Sequence, residues 1–344
     1  LTKNKILAFK RRNIFTLPGK ENIINKNDKN SIFFKFFRPF LVMPRCRGRI
    51  YKPNKLTGNS VMNTETSKTT CMASPAEISQ IGEDAGVYKA SKKQILSFFS
   101  AIPAGAFIAL AFVFYTTTQT GSLGTSWGLT KLVGGVVFSL GVIMVVVCGS
   151  ELFTSSTMTT IARASGRISR FQMLRNWIVV YFGNFVGALF IVFLIWFAGQ
   201  TMAANGQWGF TILTTAQHKI HHTWFEAFCL GILCNVMVCL AIWMSYAGKT
   251  LTDKAFIMIL PIALFVASGF EHSVANMFMI PMGILTAHFS APEFWQAINM
   301  DSQQFADLNL YHFIVKNLIP VTLGNIVGGG FCVGLALWSI NRPH

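Results

Sequence analysis

Residues 255–287 read AFIMILPIALFVASGFEHSVANMFMIPMGILTA. The uncharged part, Ala255 to Phe270, would rise about 24 Å as a helix, short of the roughly 30 Å hydrocarbon core of a bilayer. If this stretch crosses a membrane, Glu271 and His272 lie inside it. The whole run is too long for one simple crossing, which predicts an interruption near Gly269-Phe270-Glu271, with Ser273 and Asn276 suited to capping a new half-helix after it. Residues 132–162 have the same character: an overlong apolar run with Glu151 in its middle, followed by Thr154, Ser155 and Ser156. Non-helical backbone at membrane depth must be buried in protein or line a pore.

Four ordinary apolar runs, 95–117, 176–199, 226–248 and 317–340, accompany these two, giving six expected spans. Basic residues in short loops stay cytoplasmic. Lys89, Lys92 and Lys93 precede the first span, Arg163, Arg167, Arg170 and Arg175 join the second to the third, Lys249 and Lys254 join the fourth to the fifth, and Arg342 follows the sixth. The opposite loops carry little base, with Lys131, Lys219 and Lys316, and hold Glu293, Asp301 and Asp307. Both termini are therefore expected in the cytoplasm. Ser74-Pro75-Ala76-Glu77 has the form of a capping box with proline at the first helical position, predicting a short cytoplasmic helix to about Tyr88.

The two halves share motifs in the same order. Gly149-Ser150-Glu151 pairs with Gly269-Phe270-Glu271, and Gly183-Asn184-Phe185-Val186-Gly187 with Gly324-Asn325-Ile326-Val327-Gly328. Three spans per repeat is an odd number, so the second repeat lies inverted relative to the first, an arrangement that places transport sites near the midplane between broken helices. Half-helix N-termini carry unpaired N–H groups and partial positive charge, which suits an anion.

Composition agrees with a membrane body. Of 344 residues 52% are apolar and 12% charged, and the mean hydropathy is +0.48. The net charge of +16 would suggest nucleic acid if it were evenly spread. It is not: residues 1–61 hold 15 Lys/Arg against Glu21 and Asp28 and lack sustained periodicity. That segment reads as a translated upstream region or a basic surface arm, with Met43 and Met62 as candidate starts, and nucleic-acid binding is not expected. The expected organisation is this extension, a cytoplasmic region over 62–92 and a six-span body over 93–344. The seven cysteines are scattered without a C-x-x-C pair, so disulfides and zinc are not expected.

His272 is the sharpest functional candidate, an ionisable side chain at membrane depth beside a break, with a neutral histidine capping the loop as the alternative reading. Thr154 occupies the other break and can offer a hydroxyl to an anion or cap the half-helix. Glu151 and Glu271 would repel an anion if they faced a pore ionised; they are expected to be turned into the loops as structural groups, with a proton relay as the alternative. Asn184 and Asn325 read as buried amides bonded to the broken loops, or as substrate contacts. His218, His221 and His222 form H-x-x-H-H before the fourth span, a weak metal signal with Glu226 the one carboxylate nearby. No nucleophile triad, phosphate loop or cofactor motif supports an enzyme, and neither break carries the Asn-Pro-Ala of a water or glycerol pore.

Glu83-Asp84-Ala85-Gly86-Val87-Tyr88-Lys89-Ala90, Lys131-Leu132-Val133-Gly134-Gly135, Ala204-Asn205-Gly206-Gln207-Trp208-Gly209 and, above all, Phe265-Val266-Ala267-Ser268-Gly269-Phe270-Glu271-His272-Ser273 resemble the formate/nitrite transporter family. The resemblance covers 75–341. It implies an all-α, aquaporin-like protomer of six spans, with the second and fifth broken, assembled as a homopentamer with one pore per subunit in the bacterial inner membrane. It implies bidirectional passage of formate, as the anion or with a proton, and pyruvate formate-lyase as a partner at the cytoplasmic end. Nitrite or hydrosulfide is the alternative substrate. His272 would be the central pore histidine facing Thr154, with Asn235 near the path and Lys219 drawing anions to the outer mouth. Phe138, Val142, Leu152, Phe153, Val238 and Phe265 would form the apolar constrictions; Val142 stands where the family pattern has leucine.

Nearly all the excess charge and none of the repeat lies in 1–61. A chain beginning at Met62 is therefore expected to insert and to carry formate in proteoliposomes at the full-length rate. Loss of insertion or of flux would show that the segment is needed.

Overall fold

A computed structural model describes residues 72–122 and 124–342; the basic segment 1–61 and the first part of the 62–92 region, with Met43 and Met62, lie outside the described residues. The first helix, α1 (Pro75–Ser91), starts on a reciprocal cap: Ser74 Oγ accepts the Glu77 N–H at 3.3 Å and Glu77 accepts the Ser74 N–H at 2.7 Å. It runs three residues past Tyr88. Then follow α2 (Gln94–Gln119), α3 (Trp127–Val147), the short pieces α4 (Phe153–Ser156) and α5 (Thr160–Ala164) joined by a 3-10 turn, and α6 (Arg170–Phe197). The second half begins with α7 (Gln207–Ile220) and continues through α8 (Trp224–Ser245), α9 (Leu251–Ala267), α10 (Ser273–Phe289) and the short α11 (Pro292–Ile298). It ends in one long helix, His312–Asn341, whose α-helical parts α12 (Ile319–Ile326) and α13 (Ala336–Asn341) alternate with π-helical turns. No strand occurs among the described residues.

Five helices are long and apolar enough to cross a membrane: α2, α3, α6, α8 and His312–Asn341. The sixth span expected from sequence falls on α9 and α10, interrupted at Ser268–His272; α10 is followed, after a bend of 106°, by α11. Because the membrane offers no water to the backbone, both interruptions must be enclosed. Past the helix stops they are: every residue of 151–162 and of 271–280 is buried, while Gly149 and Gly269 are exposed, Gly269 on the wall of a cavity.

The two triplets of spans, α2 to α6 and α8 to α13, are the inverted repeats. Their internal packing is the same. A Cβ added at Gly183 or Gly187 of α6 would collide with the Phe98 and Ile102 carbonyls of α2; a Cβ at Gly324 or Gly328 would collide with the Phe228 and Ile232 carbonyls of α8. Backbone lies on backbone at these crossings, as small residues allow in membrane helices. The repeat also reaches further than the motif pairs suggest, because α1 and α7 are counterparts, each lying before the first span of its half.

Gly187→Ala is expected to push α2 and α6 apart and to cost about 1–3 kcal/mol, lowering the thermal midpoint in detergent. Gly128→Ala, at the start of α3 where a Cβ meets nothing within 4 Å, is the control and should leave that midpoint unchanged or slightly raised.

Candidate functional site

Both breaks begin with the same helix stop. Gly149 (φ 67°) and Gly269 (φ 72°) adopt the left-handed conformation. The N–H of Ser150 then reaches back to the Val145 carbonyl at 2.9 Å, and that of Phe270 to the Phe265 carbonyl at 3.0 Å, as in a Schellman motif. The chain continues extended, with the Glu151 N–H on the Ser100 carbonyl (3.2 Å) and the Glu271 N–H on the Leu230 carbonyl (3.3 Å).

One asparagine closes each break. Asn184 donates to the Ala101 and Glu151 carbonyls at 2.8 and 2.9 Å and accepts the Phe153 N–H at 2.8 Å. Asn325 donates to the Gly231 and Glu271 carbonyls at 2.8 and 3.0 Å and accepts the Ser273 N–H at 2.9 Å. Each amide thus makes three bonds to backbone that has no solvent. The residues at the N-cap positions are Leu152, in place of the expected Thr154, Ser155 or Ser156, and His272, the alternative reading of that histidine, in place of Ser273 or Asn276. Leucine has no cap to offer, and Asn184 supplies the acceptor from another helix.

The glutamates are ion-paired. Glu151 meets Lys92 Nζ at 2.8 Å and the Asn176 amide at 3.2 Å. Glu271 meets Lys219 Nζ at 2.7 Å and the amides of Asn276 and Asn317 at 2.6 and 3.0 Å. Asn176 also donates to the Lys89 carbonyl, and Asn317 to the Lys219 carbonyl. Each of these asparagines stands eight residues before Asn184 or Asn325 in sequence, a repeat signal that could have found them. Lys219, which the resemblance implies draws anions to the outer mouth, lies on the cavity wall with a side chain only 11% exposed and paired with Glu271. Lys92 and Lys89, read from sequence as orientation signals, bind side chains at the first break; Lys89 donates to Ser155 Oγ at 2.9 Å.

The starts of the two half-helices meet. Thr154 Oγ1 and His272 Nε2 are 3.2 Å apart, both residues fully enclosed. The Ala275 N–H donates to His272 Nδ1 at 3.1 Å. Nδ1 is therefore an acceptor, and the hydrogen of the neutral ring resides on Nε2, directed at Thr154. An imidazolium would have to give up this cap. Asn235 Nδ2 donates to the Thr154 and Asn325 carbonyls at 3.1 and 2.6 Å, tying the two breaks together.

On the α7 side a cavity of about 530 Å³ descends to His272. Phe138 and Phe265 meet edge to face at 5.8 Å, and Phe265 stacks on His272 at 5.9 Å, closing the cavity floor with aromatic rings. Val142, Leu152, Phe153 and Val238 are buried in the same core without lining this cavity. Of the three clustered histidines, His218 and His222 face the cavity edge to face at 4.9 Å. His221 turns away to Asp307. Among the described residues no group of three His, Cys, Asp or Glu side chains could hold a metal.

Paired broken helices in two inverted three-span repeats, with a polar pair where the half-helices meet, define a membrane transport protein. The chain belongs to the formate/nitrite transporter family, whose model matches residues 76–339. It is 71% identical over 284 residues to the formate channel FocA of Haemophilus influenzae, across 82% of this chain and 100% of that one. It is 58% identical to FocA of Escherichia coli K12 over 266 residues, 77% of this chain and 93% of that one. A solved pentameric formate channel with formate bound superposes with a TM-score of 0.69 at 51% identity, over 72% of this chain and 97% of that one. An FNT family ion channel gives 0.66 at 28% identity, over 77% and 98%.

Lys219→Met would leave Glu271 buried without its cation, at a cost of about 3–5 kcal/mol, expected as a clear fall in thermal midpoint. Adding Glu271→Gln, which removes the orphaned charge, should recover most of it. A single variant as stable as wild type would mean that the pair holds nothing together.

Proposed function

We propose that this chain is a formate channel of the bacterial inner membrane, working as a homopentamer with a pore through each protomer and both termini in the cytoplasm, and that it moves its substrate without chemical conversion. The observation that carries this reading is the His272–Thr154 contact. It sets two hydrogen-bonding side chains where two half-helix N-termini converge, with His272 bordering an open cavity and Thr154 enclosed behind it. The likeness to formate channels at 71% and 58% identity supports formate over nitrite or hydrosulfide. The basic residues at the α1 end support the orientation, which makes the α7-side cavity the outer one. The pyruvate formate-lyase partnership rests on the family resemblance alone.

Formate, with a carboxyl pKa of about 4, arrives as an anion, and stripping its water costs several kcal/mol in a low-dielectric pore. The partial positive charge of the half-helices and the Nε2–H and Thr154 hydroxyl offset that cost. Phe138 and Phe265 at the cavity, with Val142, Leu152, Phe153 and Val238 in the buried core, exclude water between the two ends of the path. Asn235 positions Thr154 through its carbonyl. Passage with a proton requires the imidazolium, hence release of the Ala275 amide from Nδ1.

His272→Asn keeps an acceptor for the Ala275 amide and a donor for the pore, but cannot carry a proton. Outward formate flux should persist while uptake falls about tenfold or more and loses its pH dependence. His272→Phe lacks both and should lower flux in each direction, with the pentamer intact. Wild-type flux and pH profile in both variants would leave His272 a structural cap. Proteoliposomes offered formate, nitrite, hydrosulfide and glycerol in turn decide the substrate.

A further inference from the structure

The outer cavity has a charge balance that the pore residues do not explain. Its wall carries two lysines and one glutamate. Lys219 and Glu271 cancel at 2.7 Å, with the Lys219 ammonium also over the Phe112 ring. The remaining cation is Lys131, in the first turns of α3, with no carboxylate within 4 Å among the described residues. Its Nζ donates to the Tyr115 hydroxyl at 3.1 Å. Two further N–H groups on Lys131, and the phenol's own hydrogen, are left to give.

The same cavity holds another unmet donor or acceptor. His222 Nε2 is buried and has no hydrogen-bond partner, and its distance of 3.9 Å from Glu271 Oε1 is too long for a direct bond. Its neighbour His218 is held below the ordinary histidine range by desolvation in the cavity wall, then by His222 and Lys219, so that it is neutral at pH 7. Beside the Lys219–Glu271 pair the cavity thus carries one further lysine, is roomy enough for a hydrated anion, and is floored by the Phe138–Phe265 rings.

We infer that this cavity is a resting site for a small monovalent carboxylate above the constriction, with Lys131 as its cation, the Tyr115 hydroxyl beside it, and His222 as a further hydrogen-bond partner. Lys131, rather than Lys219, draws the anion to the outer mouth. This inference rests on the formate-channel reading. Lys131 acts before the apolar constriction, so it governs how readily the anion is collected and not how fast it crosses at saturation. An unpaired charge in a water-filled cavity attracts anions in proportion to its screening, so the effect fades as salt is raised.

The experiment is formate uptake into proteoliposomes of the full chain, measured against formate concentration at low and high ionic strength. Lys131→Gln should raise the half-saturating concentration about fivefold at low salt, leave saturating flux within about twofold, and flatten the salt dependence. Lys131→Arg should restore both. His222→Leu should raise half-saturation about twofold. An unchanged half-saturation in Lys131→Gln overturns the inference, as does a fall in saturating flux that arginine does not rescue, which would mark Lys131 as structural. Should Lys131→Gln fail to assemble, His222→Leu decides alone: raised half-saturation supports the site and wild-type uptake overturns it. A wild-type chain that moves no formate defeats the formate-channel reading instead.

Discussion

A membrane leaves no solvent to satisfy an interrupted helix, and in this protein two asparagines take the place of that solvent. Asn184 and Asn325 each accept one amide proton and donate to two carbonyls around a break. Without a break there is no half-helix terminus at depth, and without the asparagine the break would hold orphaned polar backbone at a cost of roughly 1–3 kcal/mol per group. The glycine crossings follow from the same need, because an amide on α6 or α12 reaches the loops only if the helices approach backbone to backbone.

The glutamates extend the scaffold rather than the pathway. Each lies at its break with a carboxylate bound by a lysine and by asparagine amides. In each half the asparagine that binds the glutamate also takes the carbonyl of a lysine at the end of the preceding helix, Lys89 of α1 or Lys219 of α7. The two halves then differ in the cation they use: Lys92 in the first, Lys219 itself in the second. Equivalent frames can therefore hold different charge at the two mouths.

The repeats diverge where a substrate would pass. Leu152 and His272 occupy equivalent cap positions. The first is apolar and its half-helix is capped from α6; the second caps its own helix through Nδ1 and presents Nε2 to Thr154. One inverted scaffold so yields a single histidine facing a single threonine, a polar step between aromatic and aliphatic surfaces.

The sequence by itself determined the six spans, the inverted order, and the residues at which two helices must stop, because apolar run length, glycine and a midspan glutamate are local properties. The reciprocal cap of α1 was equally legible, since its four residues bond to one another. Span ends were less so: α9 begins at Leu251, where the Thr250 cap sits among charged residues that hydropathy excludes. Which side chains serve the breaks was decided only in three dimensions. Leu152 needs an acceptor that arrives from α6, and Lys219 becomes a structural ion because folding brings it 2.7 Å from a glutamate 52 residues away. The charge of a cavity likewise belongs to no segment; it depends on which of its lysines finds a carboxylate, and that is settled by packing.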